Sequence, residues 1–480
     1  MGRLGYSLLA VVVSFGMLAG CATRPVNPPI TQTDLGSGYR YLARAERFKD
    51  KQNLVVLAFS GGGTRAAAFS YGVLEALRPL EVTGPRGSIR MLDQVDVITG
   101  VSGGSFTALA YGLYGERLFD IYETSFLKRD VQGELIRRVL SPAHWGDWGR
   151  AETASELYDE ILFHGATYAD LDRGNGPFIV VTATDISNGT RIGFQQGTFD
   201  FLCSDLLAVP LSRAATASSA VPFAFSPVTF NNYGGTCRHE LPAFVRPFTD
   251  PSAIPRPAAR LLTKLRDLRS YEVEGPPFIH LLDGGLSDNL GMRGVLEALE
   301  EAETLSVLGR PGPFDDVRRI IVFVVNSRSS PKTSWGQSER PPGAIPLLIK
   351  ATGVPIDHYS YESVETMRDM VARWQSMRRL RESFALNAST DPAVQQLLSA
   401  PNIDLYVIDV SFAALVDDAE RAYLNDLPTS FVLPAEAIDR LRAAARKLVR
   451  ESPDFQRLLK DAGATIVERP ATSVPSDAHQ

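Results

Sequence analysis

Short, unbroken apolar runs punctuate this chain at Leu54–Phe59, Val95–Thr99, Phe178–Ala183, Phe278–Leu282, Arg319–Val325 and Leu405–Val410. Runs of this length without polar alternation suit strands covered on both faces, as in a parallel sheet. Helical patterns lie between them. Ala66–Leu77 and Phe106–Tyr114 are apolar or small throughout, and Leu296–Glu303 is a shorter amphipathic piece. The alternation predicts an α/β fold, a three-layer sandwich around a mostly parallel sheet. There is no internal repeat. Two regions interrupt the alternation and read as insertions around the sheet. Residues 231–277 are proline-rich with a basic amphipathic segment (Arg260, Lys264, Arg266, Arg269), and 329–400 carry a helical pattern through Val364, Met367, Val371, Trp374 and Met377. Pro434 opens a last helix with Ile438, Leu441, Ala445 and Leu448 on one face. Proline suits a first helical turn, where its missing N–H would have no partner.

The N-terminus has a pattern of its own. Arg3 precedes an apolar run from Leu8 to Val13 that continues through Phe15 and Met17. It is short for a membrane span and has the shape of a signal-peptide core. It ends in Leu18-Ala19-Gly20-Cys21, which resembles the bacterial lipobox, whose cysteine is acylated and becomes the new N-terminus. The alternative is an ordinary secretory signal cut nearby. The expected organisation is a signal peptide over 1–20, a lipidated N-terminus and tether over 21–52, one folded domain over 53–466 and a disordered tail over 467–480. Ala22 beside the cysteine, rather than Asp, points to the outer membrane, with the protein facing the periplasm. Export would permit a disulfide between Cys203 and Cys237. Closing a loop of that length stabilises by about 3–4 kcal/mol through chain entropy; the alternative is two buried thiols.

Composition adds little beyond exclusions. The 480 residues are 44% hydrophobic and 22% charged, with a net charge of −6, which is ordinary for a globular protein. No sustained basic stretch suggests nucleic acid. The six histidines show no metal-ligand spacing, so neither metal nor cofactor is expected.

Three loops carry candidate chemistry. Gly100-Val101-Ser102-Gly103-Gly104 follows a strand and precedes a helix, the context of a nucleophile elbow that presents a serine hydroxyl at the strand end. Ser105 lies one turn further on and is the decoy. Ser60-Gly61-Gly62-Gly63-Thr64-Arg65 also joins a strand to a helix, but lacks the Lys-Ser/Thr pair of a phosphate-binding P-loop. Its amides suit an oxyanion hole, or the glycines simply make a tight turn. Asp283-Gly284-Gly285 follows the Phe278–Leu282 run. An aspartate at the C-terminal end of a parallel strand sits where open α/β sheets bind ligands, though Asp-Gly turns are common.

Together these residues resemble the patatin-like phospholipase family. The match covers the glycine loop with its basic residue (Gly61, Gly62, Gly63, Arg65), the serine elbow (Gly100–Gly104), the Asp283 block and the small-residue stretch Ala215–Pro222. It spans roughly Leu54 to Gly294, with one departure: Ala66 stands where the family commonly has glycine. The resemblance implies a lipid acyl ester hydrolase of the phospholipase A or lysophospholipase type, acting on lipid at a membrane surface without calcium. It implies Ser102 as nucleophile, Asp283 as its base, the three glycine amides as oxyanion donors, and Arg65 as a loop anchor or a contact to a lipid phosphate. Two other readings stay open. Ser102, Asp283 and His358 stand in the chain order of an α/β-hydrolase triad, and a lipid-binding envelope lipoprotein without turnover would share the same loops.

Overall fold

The computed structural model describes residues 25–48, 50–84, 87–141, 149–222, 224–249, 259–273, 275–331, 335–382 and 401–468, with 333, 391 and 394 isolated between undescribed neighbours. Cys21, the signal-peptide pattern and the tail from 469 onward lie outside the described residues.

An eight-stranded sheet organises the domain. Its strands are β1 (Asn53–Phe59), β2 (Val95–Val101), β3 (Phe178–Asp185), β4 (Arg191–Gly193), β5 (Val228–Asn231), β6 (Phe278–Asp283), β7 (Arg319–Asn326) and β8 (Asp404–Ser411). The order is β8-β7-β1-β2-β3-β6-β5, with β4 beside β3. The helices that frame the site are α1 (Gly63–Leu77), α2 (Gly103–Tyr114), α3 (Leu211–Ser219), α4 (Ala259–Arg269), α5 (Arg293–Val307), α6 (Ala344–Glu382) and α7 (Ala435–Glu451).

The five strands from β8 to β3 run parallel. Helices cover both faces, which is why β2 is buried along its whole length and its sequence shows no polar alternation. On one face α1 packs against α2 and α7. Ile179 of β3 meets α2 at Gly112 on this side. Its neighbours Phe178 and Val180 point the other way, toward α4 and α5. The result is the three-layer α/β sandwich that the alternating pattern implies. A separate antiparallel sheet joins Leu80–Gly84, Gly87–Arg90 and Thr465–Glu468.

Four features differ from the sequence reading. First, β6 is antiparallel to β3, with Ala183 opposite Asp283. Apolar content reports burial, not direction. The strand pairs with β5 on its other edge, again antiparallel, and brings Asp283 down from the C-terminal edge of the sheet. Second, residues 25–48 are not a free tether. The Asn27 amide nitrogen donates to Ser204 Oγ at 2.8 Å, the Ile30 N–H donates to the Cys203 carbonyl at 2.8 Å, and Tyr39 is fully buried with its hydroxyl accepting the Ile179 N–H. Third, Pro355 lies inside α6 and does not end it, so His358 is helical. Pro355 is exposed, where a lost helical hydrogen bond is replaced by water. Fourth, Thr465–Glu468 extends past the expected boundary at 466 because it pairs with Leu80–Thr83. Cys203 and Cys237 are joined by a disulfide that ties the first insertion to the loop after β4.

Candidate active site

β2 ends at Val101 and α2 begins at Gly103, leaving Ser102 as the turn between them. Its backbone has φ 47° and ψ −120°, a conformation that L-residues avoid. Such a residue costs about 1–3 kcal/mol and persists only where its surroundings fix it. The neighbouring glycines are required by contact. A Cβ at Gly100 would lie 2.8 Å from Ser105 Cα, and one at Gly103 would collide with the Gly63 carbonyl. The turn is fastened from both sides. The Ser102 N–H donates to Ser218 Oγ at 2.8 Å, and the Ser102 carbonyl accepts the Ser105 N–H at 3.0 Å and the Ser105 hydroxyl at 2.6 Å. Ser105 therefore spends its hydroxyl on the turn, which accounts for its place in the motif.

Asp283 arrives at the same level of the sheet from the other direction. Val101 pairs with Thr182, and Ala183 pairs with Asp283, so β3 alone separates the two residues. The Asp283 N–H donates to the Ala220 carbonyl, the Gly284 N–H to the Ser218 carbonyl, both at 3.0 Å, and the Thr184 hydroxyl to the Asp283 carbonyl at 2.9 Å. Asp283 Oδ1 accepts the Gly285 N–H at 2.7 Å, and the Ser102 hydroxyl is close enough to favour the charged carboxylate. Burial pushes the carboxyl up to about 6, against the opposing pull of the Gly285 N–H and the Ser102 hydroxyl. Ser218 thus holds Ser102 through its hydroxyl and Gly284, the residue after Asp283, through its carbonyl. The small-residue stretch around it stood out in the sequence, but nothing in the pattern assigned Ser218 this clasp.

The glycine loop lies beside the elbow. Gly62 (φ 137°) and Gly63 (φ 61°) adopt conformations open chiefly to glycine. Among the described residues their N–H groups have no acceptor, and neither does the N–H of Gly103 at the start of α2. Gly63 lies directly against Gly103, so the loop abuts the elbow. Gly61 is different: its N–H donates to the Asn289 carbonyl at 2.8 Å.

The sequence profile of patatin-like phospholipases matches residues 57–296. The chain belongs to the patatin-like phospholipase family. Among solved structures it is similar to human GIVD cytosolic phospholipase A2, with 13% identity, 88% of this chain and 64% of that chain covered, and a TM-score of 0.42. The same human protein in complex with methyl γ-linolenyl fluorophosphonate gives 13% identity, 88% and 61% coverage and a TM-score of 0.40. The chain thus spans less than two thirds of the length of these structures. No curated protein matches it in sequence.

One expectation drawn from the patatin-like resemblance needs correction, at Gly61, and one alternative left open, at Arg65, is narrowed to the loop anchor. The Gly61 amide is already committed to Asn289, so Gly61 shapes the loop and has no free donor for an oxyanion. Arg65 is buried away from any lipid. Its Nε donates to the Ser327 carbonyl and its Nη1 to the Leu427 carbonyl, both at 2.8 Å, and its Nη2 donates to Thr429 Oγ1 at 3.2 Å. It anchors the loop, because its planar fork matches three acceptors that the chain end supplies. Ser327 completes the anchor: its N–H donates to Ser60 Oγ at 2.9 Å and its hydroxyl to the Gly61 carbonyl at 3.2 Å. These partners lie over 260 positions away in sequence, and no local pattern could show them.

No described histidine meets the patatin-like pair. His358 is exposed on α6, and its neighbour Asp357 pairs with Arg328. His280 is exposed and shares a hydrogen bond with Thr229 Oγ1 through Nδ1. His239 is bonded to Glu272, and His164 is exposed. His144 lies outside the described residues.

The clasp is directly testable. Ser218→Ala removes the acceptor of the buried Ser102 N–H, which costs about 1–3 kcal/mol. Turnover of a short nitrophenyl ester should fall roughly ten- to a hundredfold with little change in KM, while Ser218→Thr, which restores a hydroxyl, should recover most of it. Circular dichroism checks the fold. A folded Ser218→Ala protein with turnover within twofold of the original would show that the clasp does not position Ser102.

Proposed function

We propose that this protein hydrolyses acyl esters of lipids through a Ser102–Asp283 dyad. The observation that carries the proposal is a buried carboxylate, its basicity raised by burial, on which the Ser102 hydroxyl acts across the end of β3. An aspartate exposed to water is too weak a base for a serine proton, and desolvation narrows the gap. Ser102 Oγ attacks the ester carbonyl as its proton passes to Asp283. The charge that develops on the carbonyl oxygen meets the N–H groups of Gly62, Gly63 and Gly103, fixed before the reaction begins. Collapse expels the alcohol, which takes the proton from Asp283. A water molecule, deprotonated by the same carboxylate, then releases the acid from Ser102.

The reading of lipid as the substrate rests on membership of the patatin-like phospholipase family. Phospholipase A and lysophospholipase activities both fit this site. We also infer attachment to a bacterial outer membrane through an acylated Cys21. Mass spectrometry of the mature N-terminus should find Cys21 first and carrying acyl chains; an unmodified cysteine, or cleavage elsewhere, would remove the anchor.

The dyad and the triad separate at histidine. His358→Ala and His280→Ala should each keep activity within about tenfold, a loss below roughly 1.4 kcal/mol. Asp283→Asn should lower kcat by about 10²–10⁴-fold, since an amide cannot accept the proton. The base works as the carboxylate, so kcat/KM should fall tenfold per unit as pH drops below about 6 and level off above it. A folded His358→Ala protein at background activity would replace the dyad with a triad.

A further inference from the structure

An unassigned cavity lies on the other side of the sheet from α1 and α2. It has a volume of about 510 Å³ and is closed by β1–β3 below, α4 and α5 above, and the segments around Tyr41 and Phe244 at the side. That size is ordinary for a ligand pocket, about 300–1,000 Å³. Neither Ser102 nor Asp283 lines it. Its walls are mainly aliphatic and aromatic, with one polar corner.

Four charged groups form that corner: Arg191 from β4, Lys264 from α4, and Glu297 and Glu301 one turn apart on α5. Glu297 bonds both cations, Lys264 Nζ at 2.9 Å and the Arg191 guanidinium. Burial works against ionisation of Glu297, but Arg191 and Lys264 outweigh it and hold the carboxyl below its usual range. Glu301 has no such partner. It is only 9% exposed, and its buried Oε1 has no hydrogen-bond partner. Burial pushes this carboxyl up to about 7, so near neutral pH much of it holds a proton. With Glu301 protonated, Arg191 and Lys264 face the cavity with Glu297 as the only carboxylate on its wall, while Asp288 acts on Arg191 from behind and burial pulls the Lys264 ammonium down. The other charged side chain on the wall, Arg40, is already paired with Asp200.

We propose that this cavity binds a long-chain carboxylic acid, with the hydrocarbon along the apolar walls and the carboxylate between Arg191, Lys264 and Glu301. The ligand supplies what the corner lacks. A ligand carboxylate would meet both buried cations, favour the charged form of Lys264, and accept a hydrogen bond from the unpartnered Glu301 carboxyl. A buried unpaired polar group is costly, and a ligand that pairs it gains specificity over a plain hydrocarbon. The site is distinct from the dyad and does not depend on turnover there.

The test uses the full chain and cis-parinaric acid, a fluorescent fatty acid, below its micelle-forming concentration. Binding should saturate at one molecule per chain and be competed by oleate at least tenfold better than by oleyl alcohol. Lys264→Gln should weaken it about tenfold. Ala298→Trp, which places a large side chain in the cavity, should abolish it in a protein whose circular dichroism is unchanged. A diazirine-bearing fatty acid should crosslink to the 241–245, 261–268 and 295–301 segments, a readout that needs no variant. Absence of saturable binding, equal competition by oleate and oleyl alcohol, or crosslinks confined to the 102–107 and 218–222 segments would each overturn the proposal.

Discussion

The Ser102 turn is strained, and the site exists because the rest of the fold keeps that strain in place. Ser218 is the central restraint. Its hydroxyl accepts the Ser102 N–H at 2.8 Å and its carbonyl accepts the Gly284 N–H at 3.0 Å, so one residue of α3 sets the spacing between a parallel strand and an antiparallel one. The glycine loop is fixed to the same frame. Gly61 is bonded to Asn289, six residues beyond Asp283, and Arg65 fastens the loop to residues 327, 427 and 429. The glycine loop, Ser102 and Asp283 therefore come from three separate stretches of sequence, locked by hydrogen bonds that cross the domain. Such preorganisation is what lets amide dipoles act on developing charge without rearranging.

Sequence patterns resolved whatever depends on local spacing. The runs at Leu54–Phe59 and Val95–Thr99 are strands because both faces are covered, and Gly100–Gly104 is an elbow because only glycine fits against Ser105 and Gly63. Direction and partnership were not legible. Phe278–Leu282 has the same apolar content as the parallel strands, yet its pairing with β5 turns it antiparallel. The Gly61 assignment failed, and the choice between Arg65's two roles was not legible, for a related reason. A glycine-rich loop announces that amides are accessible, but which amide is already bonded depends on Asn289, and a basic residue near a site does not show that its acceptors are carbonyls of a distant segment. Residues 25–48 illustrate the limit of composition: a stretch that opens on Pro, Thr and Gly with no apolar period reads as linker until Asn27 and Tyr39 find buried partners.

Burial does opposite work at the two carboxyls of interest. At Asp283 it raises basicity next to a serine hydroxyl, and the Gly285 N–H keeps the charged form accessible. At Glu301 no hydrogen bond compensates, so the group holds its proton and faces an apolar cavity beside two cations. The same desolvation suits the first to proton transfer and the second to recognition. The two places are linked through α5, which begins ten residues after Asp283 and carries Glu297 and Glu301 on its cavity side.

The central claim is that the buried Asp283 carboxylate makes Ser102 the reactive serine. A fluorophosphonate probe, followed by mass mapping of the modified peptide, measures this without assuming any lipid substrate. The account predicts a label on Ser102 in the original protein, and labelling slowed by about 10² or more in a folded Asp283→Asn variant, where the general base is gone. A label on Ser105 or another serine, or equal labelling rates in the two proteins, would contradict it.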